Sequence, residues 1–215
     1  MNVTIIGAGN MGRGIGTRMV SGGHSVTVVD QNAEAAENLA TELRALSRGD
    51  SKVSTASLEN VVPGDVVVLA VWYGVNMEVA KQLGEKLSGK IVVDIANPLN
   101  ASFDGLATAP GTSSAEDLAK TIAKGARVVK AFNTTFAGTL VNGNVSGTPL
   151  DVFIAGDDEE AKKVVTKLVE DGGLVAVDAG PLLRARELEA LGLLGITLQI
   201  KHNLGFTTAW KLVRP

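Results

Sequence analysis

Short apolar runs alternate along the chain with longer segments in which apolar residues recur at helical spacing. The runs are dominated by Val and Ile, which is typical of strands buried on both faces. Strands are predicted at 3–6, 26–29, 52–54, 66–71, 90–95, 127–132, 152–155 and 174–177. Helices are predicted at 10–20, 33–46, 76–87, from an N-cap at Ser114 onward, at 159–169 and at 182–200. This alternation predicts an α/β fold, a doubly wound and mostly parallel sheet with a short helical C-terminal extension.

The first predicted strand runs directly into a glycine-rich turn, Gly7-Ala8-Gly9-Asn10-Met11-Gly12. In the pattern G-x-G-x-x-G, the first glycine makes a tight turn, the second admits a pyrophosphate, and the third lets helix and strand pack closely. The free N–H groups at the start of the helix bind the phosphates. Because the motif follows a strand and opens a helix, these six residues are predicted to bind a dinucleotide on a Rossmann fold, rather than to form an ordinary turn.

The second strand ends at Asp30-Gln31, about twenty residues after the glycine motif, as dinucleotide-binding proteins require. An acidic residue at this point accepts hydrogen bonds from the adenosine ribose. Further pocket residues are expected where later parallel strands end, because ligands bind outside the carboxyl ends of such strands. Trp72 and Tyr73 follow one of these strands and are candidates for the pocket wall, with packing at the sheet edge as the alternative.

The amino-acid composition excludes several kinds of partner, catalysis and metal site. The chain has 215 residues, 45% hydrophobic residues and a net charge of -3, which predicts a sizeable core and no general attraction to nucleic acid or an anionic membrane. The absence of cysteine excludes disulfides, thiolate catalysis and Cys-ligated zinc, and two histidines are too few for a His-rich metal site. No apolar run is long enough to span a membrane, and no signal peptide is recognised. We expect a cytoplasmic protein without a metal.

The sequence shows no evident residue that would serve as a general acid or base in catalysis. His24 precedes the second strand, at the wrong end of the sheet, and is interpreted as structural; a surface position is favoured for His202. Hydride transfer between the carbon centres of two cofactors needs only binding and stacking, so no catalytic residue is predicted.

Several segments together resemble the NADPH-dependent reductases of the deazaflavin coenzyme F420 and their bacterial dinucleotide-binding relatives. They follow the family's order and cover nearly the whole chain: Ile6 to Gly12, Gly23 to Val26, Ala70 to Tyr73, Val92 to Leu99, Val129 to Thr134, and Asp178 to Leu182 with Ala185 to Glu189. The resemblance implies direct hydride exchange between NADP or NAD and a deazaflavin stacked against it, the small-molecule acceptor.

The family's pocket lies after the fourth and fifth strands and around a Phe-Asn-Thr turn. The resemblance therefore implies that the dinucleotide contacts Ala70, Val71, Trp72, Asn97 and Pro98. It assigns the acceptor side to Tyr73, Leu99, Asn133, Thr134, Thr135 and Ala137.

The C-terminal segment is apolar on more of its surface than a single contact needs, at Leu188, Ala190, Leu191, Leu193, Leu194, Ile196, Leu198 and Ile200. We expect one side of this helix to pack on its own sheet and the other on a second copy. The resemblance implies a homodimer as well. The chain is accordingly divided into a dinucleotide-binding domain, 1–180, and a helical extension, 181–215, that serves the dimer and the acceptor site.

One position departs from the family. At the end of the second strand the family has Ser-Arg or Thr-Arg after a glycine, which hold the 2′-phosphate of NADP, whereas this chain has Val29-Asp30-Gln31. An aspartate accepts hydrogen bonds from a free ribose and repels a phosphate, so this position favours NAD.

Two other functions remain open from the residues. A 3-hydroxyacid or imine-type dehydrogenase has a similar N-terminal motif, but the segment after Gly180 is too short for its large helical domain. A non-catalytic dinucleotide sensor or partner-binding protein is the alternative from another class. A cavity for a second ring beside the nicotinamide separates the two interpretations, because a sensor needs none.

Overall fold

The structure is a computed structural model that describes residues 1–47 and 49–213. Ten strands are assigned within these ranges: β1 (Asn2–Ile6), β2 (Ser25–Val29), β3 (Val53–Ala56), β4 (Val66–Leu69), β5 (Ile91–Asp94), β6 (Arg127–Lys130), β7 (Asn144–Val145), β8 (Thr148–Pro149), β9 (Asp151–Gly156) and β10 (Val175–Gly180). Seven α-helices connect them: α1 (Asn10–Ser21), α2 (Ala33–Leu46), α3 (Val75–Leu83), α4 (Ser114–Thr121), α5 (Ala137–Asn142), α6 (Glu159–Asp171) and α7 (Ala185–His202). Two 3-10 helices occupy Gly84–Leu87 and Leu182–Arg184.

Eight of the strands form one sheet in the order β10-β9-β6-β5-β4-β1-β2-β3. From β3 to β6 all neighbours are parallel, and the order reverses between β1 and β4, which is the switch point of a doubly wound sheet. Strand β9 pairs antiparallel with β6, and β10 pairs parallel with β9. The predicted α/β class and mostly parallel sheet are confirmed. The last two strands run opposite to the first six, and the apolar pattern that identified them carries no information about direction.

Both faces of the sheet are covered. Alternate residues of each strand enter opposite cores, so Ile5 packs with α1, α2 and α6 on one face while Ile6 packs with α3 and α4 on the other. This explains why the strands read as continuous apolar runs, because each must bury both sets of side chains.

Several boundaries differ from the predictions. Helix α5 and the hairpin β7–β8 were not predicted, and the single helix expected at 76–87 is α3 followed by a 3-10 turn. The N-cap of α4 is Ser113 and not Ser114: Glu116 N–H donates to the Ser113 hydroxyl at 3.2 Å, and that hydroxyl donates to the Glu116 carboxylate at 2.8 Å. Ser113 and Glu116 therefore occupy the capping-box positions, one residue before the expected pair, with the Glu116 carboxylate on the Ser113 hydroxyl rather than on its backbone N–H.

Across the two described ranges, every helix is too short or too polar to cross a membrane.

Candidate functional site

The glycine turn between β1 and α1 is closed by backbone contacts. Gly7 has φ +112, and a Cβ on it would lie 2.4 Å from the Ala70 carbonyl oxygen. A Cβ on Gly12 would lie 2.0 Å from the Gly7 carbonyl oxygen, so the helix start packs directly on the turn. Gly9, in contrast, faces open space, since a Cβ there meets nothing within 4 Å. As the N-cap of α1, Gly9 has no side chain to bind the first N–H groups of the helix. These groups and the space beside them fit a phosphate.

Asp30 joins the end of β2 to the glycine turn. One carboxylate oxygen accepts a hydrogen bond from Ala8 N–H at 2.7 Å, and the other accepts one from Asn32 N–H at 2.9 Å. The carboxylate is thereby held in one orientation beside the turn. Each oxygen keeps a lone pair that can accept a ribose hydroxyl.

A cavity of about 410 Å³ opens beside Asp30. Its wall is formed by the ends of β1 and β2, the segment after β3 and the outer side of α3: Ile6, Gly7, Val29, Asp30, Gln31, Ser57, Leu58, Val71, Val75, Glu78, Val79 and Gln82. The charged residues in this wall are Asp30 and Glu78, both acidic. We call this space the adenosine-side cavity because it lies where the ribose and adenine of a dinucleotide bind in a Rossmann fold.

Two more cavities lie side by side along the carboxyl ends of β4, β5 and β6. The first, of about 460 Å³, is lined by Gly9, Asn10, Met11, Ala70, Val71, Trp72, Tyr73, Ile95, Ala96, Asn97, Leu99 and Ile196. The second, of about 530 Å³, is lined by Asn10, Met11, Arg13, Ile95, Asn97, Asn133, Thr135, Phe136, Ala137, Gly138, Val141, Ile196 and Phe206. They are named the loop-side cavity and the α5-side cavity. Because they share Asn10, Met11, Ile95, Asn97 and Ile196, a group bound in one would lie beside a group bound in the other.

Most of the residues singled out by sequence line these spaces, with a few exceptions. Tyr73 and Leu99, expected on the acceptor side, line the loop-side cavity together with the expected dinucleotide residues. Thr134 and Pro98 are buried and do not belong to either wall, and Gln31 lines the adenosine-side cavity. Trp72 is 77% exposed, so it stands at the mouth of the loop-side cavity rather than packing at the sheet edge.

Asn97 and Asn133 hold each other across the boundary of the two cavities. The Asn97 amide donates to the Asn133 backbone carbonyl at 2.8 Å, and the Asn133 amide donates to the Asn97 side-chain oxygen at 3.0 Å. The Asn133 amide also donates to the Leu188 carbonyl of α7 at 2.8 Å. Helix α7 is therefore attached to the wall of the site by a backbone carbonyl.

Sequence reasoning missed a buried ionic network beneath this wall. Lys130 donates to Asp94 at 2.9 Å and to Glu189 at 2.8 Å, and all three side chains are fully buried. The Lys130 ammonium also donates to the Ala96 carbonyl. Burial raises the pKa of the Glu189 carboxyl, and the Lys130 ammonium opposes that shift. A lysine inside an apolar strand was the one available signal, because a buried ammonium requires carboxylate partners.

The C-terminal segment also supplies wall residues that were not predicted. Ile196 of α7 lines both cavities, and Phe206, after the helix, lines the α5-side cavity. The ring of Phe206 meets the ring of Phe136 edge to face at 5.3 Å. Lys211 and the backbone of Leu212 bond the buried Asp151 carboxylate, so the tail is tied to the start of β9.

Neither histidine lies in a cavity wall. His24 is buried at the amino end of β2, with Nδ1 3.2 Å from the terminal amine of Met1 and Nε2 3.2 Å from Asp171. Burial is the main cause of its lowered pKa. His202 is exposed at the end of α7. The residues with described positions contain no group of three or more His, Cys, Asp or Glu that could hold a metal ion.

A sheet of this order, with a glycine turn at its switch point and ligand-sized space outside its carboxyl edge, defines a Rossmann-type dinucleotide-binding protein. The family profile described as "NADP oxidoreductase coenzyme F420-dependent" matches residues 2–98. The F420-dependent NADP reductase of Methanocaldococcus jannaschii is 32% identical over 212 residues, which are 94% of each chain. The chain belongs to this family of oxidoreductases, as its sequence motifs indicate.

The chain is also similar to two other proteins. A solved structure of a candidate F420-dependent NADP reductase from Arthrobacter superposes with a TM-score of 0.82, at 28% identity over 99% of both chains. The metalloreductase STEAP3 of Rattus norvegicus is 32% identical over 191 residues, which are 89% of this chain and 36% of that protein.

Proposed function

We propose that the protein transfers a hydride between a nicotinamide dinucleotide and a deazaflavin, the two groups lying in the loop-side and α5-side cavities. The observation that carries this proposal is that the two cavities share a wall at Asn97 and Ile196. A sensor of dinucleotides needs one of these spaces, whereas transfer between two rings needs both. The names of the reductase relatives support the deazaflavin as the second group.

The residues of the chain bind the two groups, orient them and exclude water from the site. The glycine turn and the start of α1 hold the pyrophosphate, and Met11, Ile95 and Ile196 offer an apolar surface that both rings would contact. When bound, the nicotinamide and the deazaflavin supply the redox chemistry, in which a hydride leaves one ring carbon with its electron pair and joins the other. The chain's own contribution is alignment of two rings at a short distance, which removes the entropic cost of bringing them together.

The test follows absorbance of the nicotinamide when purified protein is mixed with reduced dinucleotide and oxidised deazaflavin. We expect oxidation of the nicotinamide that depends on both the protein and the deazaflavin. Tight dinucleotide binding without transfer to the deazaflavin would contradict the proposal and leave the sensor function.

We further propose that this chain prefers NAD(H), although its relatives are named for NADP. The acidic pair Asp30 and Glu78 in the wall of the adenosine-side cavity supports this, because a 2′-phosphate there would face carboxylates. Asp30→Ser combined with Gln31→Arg is expected to shift the preference toward NADPH by about tenfold or more, since a like charge beside a phosphate costs several kcal/mol. Titration with NADH and NADPH measures the shift, with Gln31→Arg alone as the control. An unchanged ratio would show that other residues set the preference.

We also propose that the protein is a homodimer that acts in the cytoplasm. Leu194 and Ile200 of α7 are 48% and 61% exposed, and large apolar side chains left exposed on a helix favour a partner surface. The absence of cysteine agrees with a reducing compartment.

A further inference from the structure

The network of Lys130, Asp94 and Glu189 is separate from the dinucleotide-binding turn and joins five elements. Lys130 ends β6, Asp94 ends β5, and Glu189 belongs to the second turn of α7. One Glu189 oxygen accepts from Ser114 N–H at 3.0 Å, at the start of α4. The other Asp94 oxygen accepts from the Asn76 amide of α3 at 3.1 Å. No water reaches these side chains, since all three ionic groups are fully buried.

Stability does not explain such a network. Taking charges out of water costs several kcal/mol for each ion, and replacing a buried ion pair by apolar residues is often neutral or stabilising. Here one buried ammonium faces two carboxyl groups, so only one of them can form a neutral ion pair with it. An ionic network fixes the elements that carry it in one relative position, because its charged groups must lie at hydrogen-bond distance from each other.

Two sets of contacts connect the network to the shared wall of the two cavities. Lys130 holds the carbonyl of Ala96, the residue before Asn97. Glu189 follows Leu188, whose carbonyl accepts from the Asn133 amide. One turn farther along α7, a Cβ on Gly192 would lie 2.2 Å from the Asn97 side-chain oxygen, so the helix is in direct contact with Asn97. Ile196 follows after one more turn and lines both cavities.

We propose that Lys130 and Glu189 are positioning residues that hold α7 against Asn97 and thereby fix the distance between the dinucleotide and the hydride acceptor. The inference rests on the proposed hydride transfer for its functional meaning. Neither residue touches a ligand. Each acts through the shared wall, Glu189 on the position of Ile196 and Lys130 on the position of Asn97.

The test compares Glu189→Ala, Glu189→Gln and Glu187→Gln. Glu189→Ala leaves Lys130 paired with Asp94, so we expect the fold to be retained. Glu189→Gln keeps an oxygen that accepts from Lys130 and is expected to restore most of the function. Glu187 lies two residues away on the same helix, is 61% exposed and pairs with Arg184, so its amide variant is the matched control.

For Glu189→Ala we expect the KM for the deazaflavin to rise about tenfold or more while the Kd for the dinucleotide changes by less than about twofold. A general loosening of the protein would weaken both alike, so that outcome overturns the proposal. An unchanged KM for the deazaflavin overturns it as well. If Glu189→Ala does not fold, Gly192→Ala displaces Asn97 from α7 without a change in charge and is expected to raise the KM for the deazaflavin as well.

Hydrogen exchange of the free protein gives a readout that does not need the acceptor. In Glu189→Ala we expect faster exchange of the amides at 95–99 and 190–196, and no change in Glu187→Gln. Unchanged exchange would contradict the positioning role whatever the acceptor is. If the wild-type protein transfers no hydride to a deazaflavin while the exchange results are as expected, that outcome would refute the proposed function, but not the role of Glu189 in holding α7 against Asn97.

Discussion

At the scale of single residues, Gly9 combines a fixed backbone with open space on its side-chain face. A valine there would occupy the space proposed for the pyrophosphate without meeting another protein atom nearby. Gly9→Val is therefore expected to lower dinucleotide affinity by at least about tenfold while leaving the thermal unfolding midpoint within about 2 °C of wild type.

Fluorescence titration and thermal unfolding measure the two quantities. Gly138→Ala is the control, because a Cβ on Gly138 also meets open space but on the α5-side cavity. Unchanged dinucleotide affinity in Gly9→Val would remove the phosphate site from this turn.

His24 makes stability depend on pH. Burial lowers its pKa, so between that lowered value and the unfolded value of about 6.5 the unfolded chain binds more protons than the folded one. The stabilisation from this residue is therefore present above pH about 6.5 and is lost as the pH falls below it.

We expect the difference in unfolding free energy between wild type and His24→Asn to shrink as the pH is lowered from 7 toward about 5. Urea unfolding across this range measures it. Taking the difference cancels the carboxyl groups that do not interact with His24, including Glu189, whose raised pKa acts in the opposite direction. Asp171 contacts His24, so its contribution belongs to the measured difference. A difference that stays constant with pH would show that His24 does not titrate differently in the folded state.

At the scale of elements, the capping box of α4 supports the network beneath the site. Ser113 is fully buried and satisfies Glu116 N–H, and the adjacent N–H of Ser114 binds Glu189. Ser113→Ala is expected to lower the free energy of unfolding by about 1 kcal/mol, the usual cost of losing a cap.

Urea unfolding checks this value, with the exposed loop residue Ser102→Ala as the control. A loss in Ser113→Ala no larger than in the control would show that the box contributes nothing to the helix.

Local patterns predicted the elements well, because the spacing of apolar residues within a strand or helix reflects which of its sides are buried. Helix α2 was predicted with the bounds that the structure has. The glycine turn was predicted between the first strand and the first helix, where the structure has it. Interactions between distant segments left no such pattern. Lys130, Glu189 and Asp94 come from three elements, and Ile196 and Phe206 reach the cavities only because α7 and the tail fold back. The reversed β9 was equally hidden, since one apolar strand reads the same in either direction.

At the scale of the whole molecule, the exposed apolar residues of α7 bear on assembly. If these residues lie between two copies, a charge placed at them would be buried without a partner and would separate the copies. Leu194→Asp with Ile200→Glu is expected to convert a dimer to a monomer at micromolar concentration.

Light scattering after size-exclusion chromatography measures the mass. Lys201→Ala, a polar neighbour on the same helix, is the control and is expected to leave the mass unchanged. A wild-type protein that is already a monomer would contradict the homodimer.

The tie between the C-terminal tail and β9 also has a consequence for synthesis on the ribosome. The glycine turn, Asp30 and the strands through β4 leave the ribosome in the first part of translation, and domains fold from the N-terminal side as they emerge. Ile196, Phe206 and the residues that fasten the tail emerge last. A growing chain can therefore form the glycine turn and the Asp30 contact before the shared wall of the two cavities exists. In the proposed hydride transfer, the acceptor meets a complete site only after α7 and the tail have folded against the sheet.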